Sequence, residues 1–453
     1  MNPNRMLEFA STGQSASLHD DTVLSYDSGE AFWMKHVPTI KERDRALITD
    51  VVRRFGPLSR VKLHELTHFR PATIGAVVRE LLDEGVLAEG GLSNNPTGRK
   101  QILLELNEKL GYVVTLDFDA ETVSAGMMDV RAKLRNSVIR ESTDLANGRE
   151  GLLRQLLSCV ERTIQQAGPE SGRPLGIGIG DPGLVNSQEG ISVVSSTIDF
   201  WHGIKLRELF NKAFGVPVVV SDNTRTKAIA ERTLGAGEGA ADLIYIEYGT
   251  GIGAGIFTGG HLLQGHRWSA GEFGHTSTTE GGPPCRCGSF GCLEAVAGLA
   301  ALETRVRSAL RNGGFSRCLE LAGRDIDRVT GWHVLETAAL GDKMCVVLVE
   351  ELARSLGFGI ANLVNIFNPE IIVLDHRLKL AGPEFLHQLT RVVQSRALAY
   401  VTETLRFRFG ELGSDAALLG AGLMSLDAFF AVPALKPPKF MVGTENSLAS
   451  LPS

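Results

Sequence analysis

Cys285, Cys287 and Cys292 fall within eight residues of one another, and His275 lies ten residues before the first of them. Three thiolates and one imidazole complete the tetrahedral N/S set that Zn²⁺ favours. Such a site is structural, because no coordination position remains for a reacting water. Gly288 and Gly291 inside the string suit the tight backbone needed to turn three sulfurs onto one ion. Cys159, Cys318 and Cys345 are scattered among apolar residues and read as buried thiols.

The elements that must position these residues follow from length and pattern. A chain of 453 residues has room for about three domains. Hydrophobic content of 43% with 22% charge is that of an ordinary soluble globular protein. No apolar run approaches the ~18 residues of a bilayer span, and the N-terminus lacks a basic-then-apolar signal pattern. A cytoplasmic protein is therefore expected, with reduced cysteines that favour metal over disulfides. The net charge of −6 excludes a chain that coats nucleic acid along its whole length. Residues 39–106 carry 11 Lys and Arg against 9 Asp and Glu, while the remainder carries 35 against 43. That small positive excess does not by itself establish DNA binding.

Residues 1–38 have few aliphatics and no sustained period, and are read as a disordered tail. Over 39–106 the pattern is three helices and a β-hairpin. Ala46, Leu47, Val51 and Phe55 sit at helical spacing until Gly56-Pro57, and Ser59 is placed to N-cap a second, short helix. Pro71 opens a third helix whose buried side is Ile74, Val77, Val78, Leu81 and Leu82, and Gly85 stops it. This order predicts a winged helix-turn-helix. Its third helix is expected to enter the major groove, with Arg70, Ala72, Thr73 and Gly75 toward bases and Arg79 and Lys62 on phosphates. The wing, residues 94–100, carries Arg99 and Lys100 and is expected to reach the minor groove or backbone.

From residue 107 short apolar strands alternate with longer helical segments, the texture of an α/β fold. Strands are expected at 112–116, 123–128, 134–139, 175–179, 218–220, 243–248, 253–257 and 371–374, with helices at 151–166 and 346–367. The same α/β theme occurs twice, so two lobes around a cleft are expected over 107–431. Residues 432–453 read as a loose tail.

The string from Gly271 to His275, followed by the cysteine cluster and Leu293-Glu294, resembles the signature of the ROK family (repressor, open reading frame, kinase). The resemblance continues in residues 176–190, 201–222, 249–260 and 368–374. It implies an actin-like, hexokinase-like fold of two lobes with a sugar between them. It further implies that Asp222, Glu272, His275 and Glu294 hold the sugar hydroxyls, with one ring nitrogen of His275 on zinc and the other facing the sugar. Carboxylates that accept two hydrogen bonds each suit such a ligand. Some members are sugar kinases; others carry an N-terminal winged helix and act as sugar-responsive regulators.

The residues separate the two classes. Kinases of the family place two glycines in an early phosphate loop, where this chain reads Asp117-Phe118-Asp119-Ala120-Glu121-Thr122. Paired glycines after the 371–374 strand are replaced by Asp375-His376. Asp222 matches the catalytic base of a kinase, but the same carboxylate binds sugar in members without activity. The expected function is thus a sugar-responsive transcriptional regulator, a repressor, with operator DNA and a sugar effector as partners. The alternative is an ATP-dependent sugar kinase. A homodimer or homotetramer is expected, since paired winged helices read a palindrome.

Overall fold

The computed structural model describes residues 39–93, 100–135 and 137–433. The two expected tails fall largely or wholly outside these residues, as does Arg99. The chain divides into two compact units, residues 1–111 with 427–453, and residues 112–426.

In the first unit, α1 (Ile40–Phe55) opens with a capping box between Thr39 and Glu42 and ends at Gly56. Strand β1 (Leu58–Ser59) leads into α2 (Arg60–Thr67), which Ser59 caps through Lys62 N at 3.2 Å. Helix α3 (Pro71–Asp83) follows, with Pro71 in its first turn. Strands β2 (Leu87–Leu92) and β3 (Ile102–Leu106) complete an antiparallel sheet in the order β1-β3-β2. Ile48, Leu63, Ile74, Val78, Leu81 and Leu104 are essentially inaccessible and form the core. Leu82 is only partly buried, since it lies at the edge of the helix face that its period assigned to the interior. Arg53 is also buried, and donates to Asp50 (2.8 Å) and Asp427 (2.5 Å).

The second unit contains two five-stranded sheets built to one plan. Strands β4 (Gly111–Phe118), β5 (Thr122–Asp129) and β6 (Ile139–Ser142) form an antiparallel meander. Strand β7 (Arg173–Asp181) leads to a small antiparallel sheet of β8 (Leu184–Asn186), β9 (Ile191–Val194) and β10 (His202–Ile204). Strand β11 (Val218–Asp222) then pairs parallel with β7, so the first large sheet has the order β11-β7-β4-β5-β6. The second repeats this order with a meander of β12 (Leu243–Tyr248), β13 (Ile252–Thr258) and β14 (His261–Leu262), joined by β15 (Ile371–Leu374) and β16 (Arg406–Phe409) as β14-β13-β12-β15-β16. Each sheet has its own hydrophobic core.

The expected strands are present with one correction. The third strand of the first meander is Ile139–Ser142, not 134–139. Leu134 makes only an isolated bridge to Met128. The apolar period of that segment reflects packing after the turn at Asp129, where the carboxylate accepts from Arg131 N and Lys133 N. Cys159, Cys318 and Cys345 are buried, as expected. No helix among the described residues is long and apolar enough to cross a membrane.

Candidate functional site

Parallel strands place chemistry at their carboxyl ends, where the chain leaves the sheet and side chains face a crevice. Asp181 and Asp222 are the last residues of β7 and β11 and stand in register with each other. Asp117 lies near the end of β4, Glu247 near the end of β12, and Asp375 directly after β15. All except Asp375 line a cavity of about 1340 Å³, which also takes in Glu272, His275 and Glu294. The four residues expected to hold a sugar therefore converge on one space.

Asp222 has a structural task as well. It caps the helix Asn223–Leu234 through Arg225 N at 2.9 Å and faces Arg225 Nε at 3.3 Å. Glu294 accepts from Ile252 N at 3.0 Å. Burial, and then the nearby charge of Asp222, raise the Glu272 carboxyl above its ordinary range. Gly271 is held at φ 99°, and a Cβ there would lie 2.1 Å from the carbonyl oxygen of Ala254, so only glycine delivers Glu272 to this place.

His275 joins the cavity to the cysteine cluster. Its Nδ1 lies 3.6 Å from Cys285 Sγ, while its Nε2 lies 3.9 Å from Glu272 Oε2. Cys287 Sγ and Cys292 Sγ are 3.7 Å apart, and the four candidate ligand atoms all fall within 4.8 Å of one another. Zn–S bonds of 2.3 Å in a tetrahedron imply edges of about 3.8 Å. The set therefore fits a tetrahedral ion. Local backbone makes the arrangement: Gly288 N bonds Cys285 O at 3.0 Å, and Cys285 N bonds Ser289 O at 2.8 Å. The backbone N–H of Ser289 favours the Cys287 thiolate, whereas burial pushes the Cys292 thiol up to about 11.

Sequence reasoning missed several groups. Asp181 is fully buried, accepts from Trp201 Nε1 (2.8 Å), Gly183 N (2.8 Å) and Ser192 Oγ (3.0 Å), and is pushed by burial to about 6. Its signal was an acid ending an apolar glycine-rich run. Lys227 donates to Glu247 at 2.5 Å, and Glu247 also accepts from Thr224 Oγ1 at 2.7 Å. Nothing in their spacing marked that pair.

The loop that would cradle phosphate in a kinase is closed on itself. Asp119 Oδ1 accepts from both Glu121 N and Thr122 N at 2.7 Å, so the chain's own carboxylate occupies the donors that an anion would need. The second glycine loop is covered too. Arg377 Nη2 donates to Tyr248 O at 3.0 Å, its guanidinium stacks 4.7 Å over Trp332, and a Cβ on Gly249 would lie 2.9 Å from it.

Asp117 is partly buried, but its Oδ1 is sealed from solvent and has no hydrogen-bond partner. Burial is the main cause of its rise to about 7; the attraction of Lys227 opposes it. A carboxyl whose folded value is raised contributes stability below its unfolded value near 3.9 and loses it as pH rises through the folded value. Asp117→Asn is therefore expected to stabilise the chain by about 2 kcal/mol at pH 8, with the gain shrinking between pH 7 and pH 4. Urea unfolding across that range is the check, and a variant less stable than wild type at pH 8 contradicts it.

The candidate DNA face belongs to the first unit. Arg70 is exposed at the N-cap of α3, Ala72 and Arg79 are exposed on the helix, and Thr73 and Gly75 are partly so. Arg70 provides no side-chain cap for the helix, whose free N–H groups and positive dipole end suit an anion. Lys62 is half-exposed and pairs with Glu65 at 2.9 Å, so it must exchange that partner to reach a phosphate. Lys100 is exposed.

Comparison with known proteins adds four findings. The ROK family pattern matches residues 121–428. The chain is 28% identical to a xylose repressor of Caldicellulosiruptor bescii, across 87% of this chain and 98% of that one. Among solved structures it superposes on a ROK family transcriptional regulator, a homolog of the E. coli MLC protein, with a TM-score of 0.75 and 26% identity, covering 87% of this chain and 98% of the other. A ROK family glucokinase from Streptomyces griseus, solved with glucose and AMPPNP, gives a TM-score of 0.60 and 27% identity. It is covered to 99% but matches only 69% of this chain, so a kinase leaves about a third of the residues unaccounted for.

Proposed function

The chain belongs to the ROK family, and from that premise we propose that it is a sugar-responsive transcriptional repressor that acts in the cytoplasm on operator DNA. The observation that carries the ligand half is the convergence of Asp222, Glu272, His275 and Glu294 on one cavity. The effector is a sugar or sugar derivative whose hydroxyls donate to these carboxylates. Zn²⁺ held by His275, Cys285, Cys287 and Cys292 supplies no reaction; it fixes the tautomer and orientation of His275 and so the wall of the pocket. Relatives named as xylose repressors along nearly the whole chain support the regulatory half.

DNA contact is assigned to α3 through Arg70, Ala72, Thr73 and Gly75, with Lys62, Arg79, Arg99 and Lys100 on the backbone or minor groove. A homodimer or homotetramer presents two such helices to a palindrome. Sugar binding shifts the population between lobe arrangements and thereby the spacing of the paired helices, which releases the operator. The kinase alternative is disfavoured by the self-satisfied Asp119 loop and by Arg377 over Gly249.

The test is thermal-shift screening of the full chain against a carbohydrate library, since a ligand raises stability with its concentration over Kd. One sugar class is expected to stabilise the chain, and Glu272→Ala to weaken its binding about tenfold to hundredfold. Equal binding by the variant removes Glu272 from the pocket.

A further inference from the structure

The cavity holds an asymmetric set of hydrogen-bonding groups. Nine Asp and Glu residues line it against five Lys and Arg. Four of the five are paired with a carboxylate, and the fifth, Arg286, is exposed and bonded only to a carbonyl. Lys227 is bound to Glu247, Arg140 to Asp415, and Arg377 to Asp375 and to the Tyr248 carbonyl. Arg225 donates to the carbonyls of Trp268 (2.6 Å) and Ala270 (2.7 Å) and faces Asp222, and Arg286 donates to Ser196 O. The backbone donors of the 119–122 turn are taken by Asp119.

Acceptors, by contrast, are in surplus. Two of them are buried without any donor: Asp117 Oδ1, and Asn223 Oδ1, whose orientation is set by the bond from Asn223 Nδ2 to Phe118 O at 3.0 Å. Both atoms are sealed from solvent; the acceptors a ligand can reach are those of Asp222 and Glu272, whose side chains are 21% and 55% exposed.

Resting on the sugar reading above, we infer that this cavity takes an unphosphorylated sugar and rejects the phosphate ester of the same sugar. Each free hydroxyl brings an O–H donor to a wall of acceptors. A phosphate dianion brings acceptors only, finds no cation free of a carboxylate except the exposed Arg286, and adds two negative charges to a carboxylate-rich space. The discrimination lies in the ligand's charge and donor count, so it holds whichever sugar skeleton fits.

The experiment is isothermal calorimetry on the full, zinc-loaded chain with aldopentoses and aldohexoses and with their 5- and 6-phosphates, at one ionic strength. The expected result is that a free sugar binds and its phosphate ester binds at least about thirtyfold more weakly. Inorganic phosphate at millimolar concentration is expected not to displace the sugar. An ester that binds as tightly as its parent, or displacement by phosphate, overturns this inference and leaves the sugar pocket standing. Binding of neither class to a folded chain removes the pocket assignment itself.

Discussion

Cys287→Ala is expected to yield a chain without bound zinc. The residue is exposed, so its loss opens no cavity in a packed core, and any large effect must come through the metal. Structural zinc contributes about 10–16 kcal/mol to the folding of small finger peptides. Here the ligands sit in a unit with extensive cores of its own, so only the local share is lost. A fall in Tm of about 5–10 °C is expected, corresponding to about 3 kcal/mol in a unit of this size. The sugar site should suffer alongside, because His275 loses the ion that fixes its ring, while Nε2 remains beside Glu272. Elemental analysis of wild type should give about one zinc per chain. Cys318→Ala is the control: that thiol is buried and outside the cluster, so stability falls and zinc remains. Full zinc content in Cys287→Ala, or none in wild type, removes the metal site.

The second large effect is expected on DNA. Arg70→Ala with Thr73→Ala should abolish sequence-specific retardation of the chain's own promoter fragment. Base-edge contacts contribute about 1–3 kcal/mol each, and a symmetric dimer carries each contact twice, so affinity should fall at least about a hundredfold. Neither residue belongs to the buried core of its unit: Arg70 is exposed at the helix N-terminus and Thr73 is partly exposed in its first turn. The variant should therefore keep its fold and its response to sugar. Arg79→Ala, in contrast, should weaken binding to all sequences alike and reduce its salt dependence, as loss of a phosphate contact does. Unchanged specificity in the double variant takes α3 out of the recognition role.

What the sequence by itself determined is what is local in the chain. The His/Cys cluster that could hold a metal was legible because one turn with Gly288 and Gly291 gathers three of its members, and His275 follows from a short helical turn at Phe273–His275. The helices of the first unit were legible because Ser59, Pro71 and Gly56 act on their immediate neighbours. The repeated α/β texture was legible because burial on both faces writes apolar runs. The third strand of the first meander was misplaced because an apolar run after a turn has the same period as a strand, and only its pairing partner distinguishes the two. Tertiary structure decided which distant carboxylates meet. Asp181 and Asp222 stand together because β7 and β11 pair in parallel register, and Lys227 finds Glu247 across separate elements. The Arg53–Asp427 pair joins residues at opposite ends of the chain. The Asp119 loop shows both levels: its missing glycines were read directly, but that its carboxylate satisfies its own backbone donors emerged only from geometry. Short-range spacing is set by backbone covalent geometry and is therefore written in the residues. Long-range meetings depend on sheet order and register, which the burial of whole faces selects and no single segment encodes.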